Sequence, residues 1–134
     1  MSVDQAWGLH HLALKVMDLR GCEHFYTRVL GLTVVDRHYD DSGDLRSVWL
    51  KASPGEILLM LERSAGEGFH HGDAEKGWHL AAFTIGVDER ASWKKRLKEH
   101  GIEVESESPF SLYFRDPEGN RLALSHYPDK EALS

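Results

Sequence analysis

The sequence predicts an α+β chain made of two consecutive βαβββ modules. Three observations predict it: short period-two runs that read as strands, two helical segments each opened by an aspartate and closed by a glycine 13 residues later (Asp18 to Gly31, Asp88 to Gly101), and a glycine-bearing stretch between the halves. With 134 residues and 41% hydrophobic content the chain supports one ordinary core, not two independent domains. Residues 1–134 therefore read as a single domain, with a first module over 8–63, a linker over 64–77 and a second module over 78–127.

The first strand is expected over Gly8 to Met17, where Leu12, Leu14 and Val16 alternate with His11, Ala13 and Lys15. Asp18 is a good N-cap, and Cys22, Phe25, Tyr26 and Val29 follow at i, i+3, i+4 and i+7, the apolar stripe of an amphipathic helix ending at Gly31. Strands are expected at Leu32 to Tyr39, Leu45 to Lys51 and Glu56 to Arg63, parted by the turn-rich segments DDSGD and SPGE. Ser64 to Gly77 carries four glycines and little apolar periodicity, so it reads as a connecting loop. The order then restarts with a strand over Trp78 to Val87, an Asp88 cap and a helix over Glu89 to His100 with Trp93 and Leu97 on one face. Strands at Ile102 to Ser106, Phe110 to Arg115 and Arg121 to Tyr127 complete the repeat, the last two joined by the turn DPEGN.

A formal charge of −6 at pH 7 without a Lys/Arg block argues against a nucleic-acid or anionic-membrane partner. No run approaches the roughly 18 apolar residues of a membrane span, and MSVDQAW lacks the basic and apolar regions of a signal peptide. A cytoplasmic protein is expected. The single cysteine, Cys22, falls among the apolar helix positions and reads as a buried structural thiol. No Ser/His/Asp arrangement, phosphate-cradling glycine loop or paired-carboxylate motif is present.

Two segments carry a family resemblance. HHLALKVMDLRGCEHFYTRVLGL resembles the opening of vicinal oxygen chelate proteins (the glyoxalase, bleomycin-resistance and extradiol dioxygenase superfamily), and YFRDPEGNRLALS resembles their last hairpin. The resemblance spans roughly residues 8 to 127. It implies a shared, incompletely closed eight-stranded mixed sheet around a cavity with helices outside, and a homodimer whose cavity forms within one chain or across two. It also implies a divalent metal (Fe, Mn, Zn, Ni or Co) held by the first and last strands of each module. The first-strand positions are His11 and His79. The last-strand positions, usually glutamate, are Met60 and Ala123, and neither side chain binds a hard cation. Glu62, two residues beyond Met60, is the remaining carboxylate candidate.

Strand parity independently turns His11 away from Leu12, Leu14 and Val16 and toward the cavity, and it places His79 on one face with Ala81 and Phe83. Trp49, Met60, Phe83, Ser111, Tyr113 and Ala123 are the expected substrate-binding wall, with Ser111 and Tyr113 similar to the phosphonate-contacting strand of fosfomycin thiol transferases. His70 and His71 read as solvated loop, and His10 as facing away from His11. No catalytic residue is assigned. Two readings stay open: a metal-dependent lyase, dioxygenase or thiol transferase holding its ion through His11, His79 and Glu62, or a metal-free binder of a small organic molecule, like the bleomycin-resistance proteins. Metal-free acid/base catalysis by a histidine with Tyr113 as donor is a third.

Overall fold

The computed structural model describes residues 5–6, 8–52, 55, 57–64 and 77–131. By its internal contacts the chain divides into two compact units, Met1–Glu67 and Gly68–Ser134. Each is a βαβββ module with a four-stranded mixed sheet, so the α+β architecture expected from the repeat is the one observed. Most of the 64–77 segment, His70 and His71 included, lies outside the described residues.

In the first unit, β1 (His11–Val16) leads into α1 (Leu19–His24), and β2 (Thr33–Tyr39), β3 (Leu45–Lys51) and β4 (Leu58–Arg63) follow. The sheet order is β1-β4-β3-β2, with β1 and β4 parallel and the other pairs antiparallel. Asp18 caps α1 as expected, its carboxylate accepting the Gly21 N–H at 3.0 Å. A Cβ at Gly21 would collide with that carboxylate, so the cap requires glycine there. The expected helix continues past His24 not as an α-helix but as one π-helical turn over Phe25–Val29. The Thr27 hydroxyl donates to the Glu23 carbonyl at 2.8 Å, competing with the backbone for that acceptor. The segment still buries Cys22, Phe25, Tyr26 and Val29, and Gly31 closes it at φ +77°. The helical layer packs on β3 and β4, where Val48, Leu50 and Leu61 are fully buried.

The second unit has β5 (Ala81–Thr84), a 3₁₀ turn (Val87–Glu89), α2 (Arg90–Glu99), β6 (Ser106–Glu107), β7 (Ser111–Arg115) and β8 (Arg121–Ser125). Its order β5-β8-β7-β6, with β5 and β8 parallel, repeats the first. The expected Asp88 cap is not used. Asp88 sits inside the 3₁₀ turn, and the helix entry is closed instead by Glu89, whose Oε1 accepts the Gly86 N–H at 2.6 Å. β5 and β6 are shorter than their sequence patterns, since Trp78 to Leu80 precede the paired residues and only two residues of β6 join the ladder. The DPEGN turn forms as expected around Asp116, whose Oδ1 accepts the Glu118 and Asn120 N–H groups, both at 2.9 Å.

The buried stripe of α2 contains a charge. Arg90 is 3% exposed, beside half-buried Trp93 and fully buried Leu97. Its guanidinium donates to His126 Nε2 at 3.0 Å, Glu107 Oε1 at 3.0 Å and the Ser108 carbonyl at 2.9 Å. These bonds tie α2 to β6, to the turn before β7 and to the segment after β8, and with Glu131 Oε2 at 3.6 Å from Nε they offset much of the cost of burying the cation. His126 Nδ1 faces the Asp129 carbonyl, so Nδ1 carries the proton and Nε2 is the acceptor.

Arg90, followed by Lys94, holds the Glu107 carboxyl below the usual glutamate range. Because the folded-state value is depressed, the unfolded chain binds more protons in acid. This stabilisation is therefore present above the ordinary glutamate value of about 4.3 and is lost as pH falls through the lower folded value. With the Glu107 side chain 40% exposed, screening keeps the effect small. Thermal melts across pH should show Glu107→Gln flattening the decline below about pH 4.3. Arg90→Ala should cost about 3 kcal/mol at neutral pH in denaturant unfolding.

Candidate functional site

Residues paired directly across neighbouring strands point to the same side of the sheet. Leu12, Leu59 and Leu50 form one such row, and Leu14, Leu61 and Val48 the next; both lie under the helical layer. The opposite face of the first unit carries three further rows. His11, Leu58 and Lys51 form the first; Ala13, Met60, Trp49 and Asp36 the second; Lys15, Glu62, Ser47 and His38 the third. His11, Trp49, Met60 and Glu62 thus share the face that strand parity assigns them.

They do not all converge. Glu62 is four residues beyond the partner of His11, about 13 Å along the strand, and side chains stand roughly perpendicular to a sheet. The register therefore keeps Glu62 from completing a coordination sphere with His11, which corrects the expectation that it supplies the missing carboxylate. His10, expected to face away from His11, contacts it instead: their Nδ1 atoms are 3.0 Å apart and their rings are edge to face. Strand alternation does not hold there because β1 begins at His11.

In the second unit, β7 and β8 present Ser111, Tyr113 and Arg115 opposite Ser125, Ala123 and Arg121, all on one face. Ser111 is buried, and its hydroxyl donates to Ser125 Oγ at 2.9 Å. The Arg121 guanidinium lies 4.9 Å from the Tyr113 ring centroid and contacts His79 Nε2. Arg115 Nε is 3.2 Å from Glu105 Oε1. Phe83 is on the other side, paired with Leu124, which is buried in the row with Leu112. It therefore lies on the face opposite Ala123 and Tyr113 and is not part of the expected wall.

The two histidines are also not equivalent. Met60 pairs with Ala13, two residues after His11, whereas Ala123 pairs with Ala82, three residues after His79. One additional residue before β5 puts His79 out of phase, so alternation would bring Leu80 to the polar face. His79 reaches Arg121 only because residues 78 to 80 precede the strand.

The implied divalent cation needs about three protein donors with a position left for substrate. Its fit here is poor. Met60 offers only a soft thioether, and Ala123 offers nothing and is 1% exposed. A guanidinium cannot accept a hydrogen bond, so the Arg121 contact commits the His79 Nε2 lone pair that a metal would use. Among the described residues, no group of three or more His, Cys, Asp or Glu side chains is placed to hold a metal ion.

Two polar groups on these faces escaped the sequence reading. Arg121 lies two residues before Ala123, so parity was enough to place it. His38 was not recoverable that way, because β2 has register irregularities between Val34 and Asp36 and between His38 and Tyr39. Its ring lies 4.5 Å from that of Trp49.

The model of the Glyoxalase/Bleomycin resistance protein/Dioxygenase superfamily matches residues 8–124. A protein named as a putative ring-cleaving dioxygenase, MhqE of Bacillus subtilis (strain 168), is 30% identical over 125 residues, which cover 87% of this chain and 40% of that protein. This chain thus spans well under half of that relative's length. The glutathione transferase FosA of Serratia marcescens is 28% identical over 123 residues, covering 87% of this chain and 78% of FosA. Among solved structures, the fosfomycin resistance protein FosX of Listeria monocytogenes, complexed with Mn(II) and a sulfate ion, superposes with a TM-score of 0.70 at 20% identity, covering 91% of each chain. At that identity the likeness is one of fold.

Long-range ¹H–¹⁵N spectra of the neutral imidazole should show His79 Nδ1 protonated and Nε2 bare, and Arg121→Met should redistribute the proton over both nitrogens. An Nε2–H signal in the unsubstituted protein would contradict the Arg121 contact.

Proposed function

The chain belongs to the glyoxalase/bleomycin resistance protein/dioxygenase superfamily, the vicinal oxygen chelate proteins, and on that premise we propose that it binds a small organic molecule without a divalent cation. What supports this reading is donor chemistry: the positions that the resemblance matches to the family's carboxylates hold Met60 and Ala123, and His79 Nε2 contacts the Arg121 guanidinium. Trp49 and Met60 in the first unit, and separately Tyr113 in the second, supply apolar and aromatic groups of the kind that bind flat organic molecules. The proposed assembly is a homodimer, read by sedimentation as twice the 15.2 kDa chain mass.

A metal-dependent enzyme is the second reading. It is favoured by relatives named as a dioxygenase and a glutathione transferase at 30% and 28% identity. In that case His11 is the residue with which a metal would begin, and the ion would polarise vicinal oxygens of the substrate.

Elemental analysis of untagged protein separates the two. Metal content well below one ion per chain, unaltered by His11→Ala or His79→Ala, is expected. Screened ligands should raise the melting temperature equally before and after EDTA treatment. Stoichiometric metal that disappears in either histidine variant, with a ligand shift abolished by EDTA, would replace the binder reading with the enzyme reading.

A further inference from the structure

We propose that Trp49 and His38 form the polar end of a ligand subsite on the first unit's sheet, whose occupant is a flat aromatic molecule bearing an ionised oxygen. The proposal rests on the small-molecule-binding reading and names ligand chemistry for it.

The starting observation is an orphan. Trp49 Nε1 is buried and has no hydrogen-bond partner among the described residues. The indole N–H is a donor only, so nothing but an acceptor can satisfy it, and a donor left buried and unpaired is unfavourable. Within the sheet, the backbone carbonyls around Trp49 are engaged in ladders with β2 and β4. The acceptor must therefore come from outside the sheet.

The surroundings specify what brings it. The His38 ring lies 4.5 Å from the indole, tilted by 52°. His38 Nε2 is also buried, and its 3.3 Å approach to Asp36 Oδ2 makes no aligned hydrogen bond. Two nitrogens capable of donating thus sit together with no acceptor aligned to either. In the same row, Met60 is the direct partner of both Trp49 and Ala13. Ala13 is small and exposed beside the thioether, and sulfur–aromatic contact favours a planar ring there. The rows on either side carry Lys51 and the Lys15–Glu62 pair, while Asp36 lies in the row of Trp49 itself. These formal charges balance, so the preference for an ionised oxygen comes from the donors, whose bonds to a charged acceptor are the stronger kind.

The test uses the full chain after EDTA treatment, labelled with ¹⁵N, and two probes of like shape: 2-naphthoate, which carries the acceptor, and 2-naphthylmethylamine, which does not. The Trp49 indole cross-peak is assigned by its absence in Trp49→Phe. Saturable movement of that peak with 2-naphthoate is expected, with the indole peaks of Trp78 and Trp93 unmoved. Trp49→Phe should weaken 2-naphthoate about tenfold while leaving the amine within about twofold. Should that variant fail to fold, the unsubstituted protein's indole shift and a weaker response in His38→Gln decide the matter. Saturable 2-naphthoate binding that leaves the Trp49 peak in place, or that is equal in Trp49→Phe, overturns the subsite and leaves the binder reading intact. No saturable binding of 2-naphthoate overturns the ligand class, whereas the binder reading falls only on the metal and EDTA measurements.

Discussion

Burying one face of each four-stranded sheet is the constraint on which the rest of this molecule depends. In the first unit Val16, Val48, Leu50 and Leu61 are fully or almost fully buried, and in the second Leu112, Phe114, Leu122 and Leu124 are. Because strand side chains alternate with a period of two, committing these residues to one side sends their neighbours to the other. The polar faces are thus by-products of core formation. Their membership follows from register, which is why His11, Met60 and Trp49 share a face without bonding to one another.

Register also accounts for the divergence between the two modules. A single additional residue before β5 leaves the second core unaffected, since β5 still pairs with β8 and Phe83 still covers Leu124. It shifts His79 by half a period, however, and the side chain settles against Arg121. The second unit's polar face thus carries an organic cation, Arg121, and the first unit's carries a buried indole donor, Trp49. Both features are hydrogen-bond donors, the chemistry on which the proposed ligand binding rests.

The second unit solves another problem with Arg90. Its β6 is only two residues long, and few ladder bonds hold that edge. The buried guanidinium takes over part of the task, joining α2 to Glu107, the Ser108 carbonyl and His126. A charge can serve there because its donors are matched by acceptors on three different segments. The first unit has a longer edge strand in β2 and uses surface pairs instead, Arg37 with Glu23 and Arg63 with Asp40.

By itself the sequence determined the module order, both helices with their closing glycines, the strand faces of the first unit and the hairpin turns. All of these are local: they depend on alternation, capping and turn chemistry over a few residues, which the residue types carry directly. That Met60 and Ala123, at the positions the resemblance matches to carboxylates, offer no hard donor was also legible, because a side chain's donor atoms are a matter of identity alone. Only the tertiary structure decided where Glu62 and His79 stand relative to their supposed partners, that Phe83 shares the buried face of Leu124, that Arg90 is buried, and that His38 lies against Trp49. Each of these depends on a register, a bulge or a strand end, and such features are settled by pairing between segments distant in the chain. Shifting a pairing by one residue changes no composition and no local propensity, yet it moves a side chain to the other face.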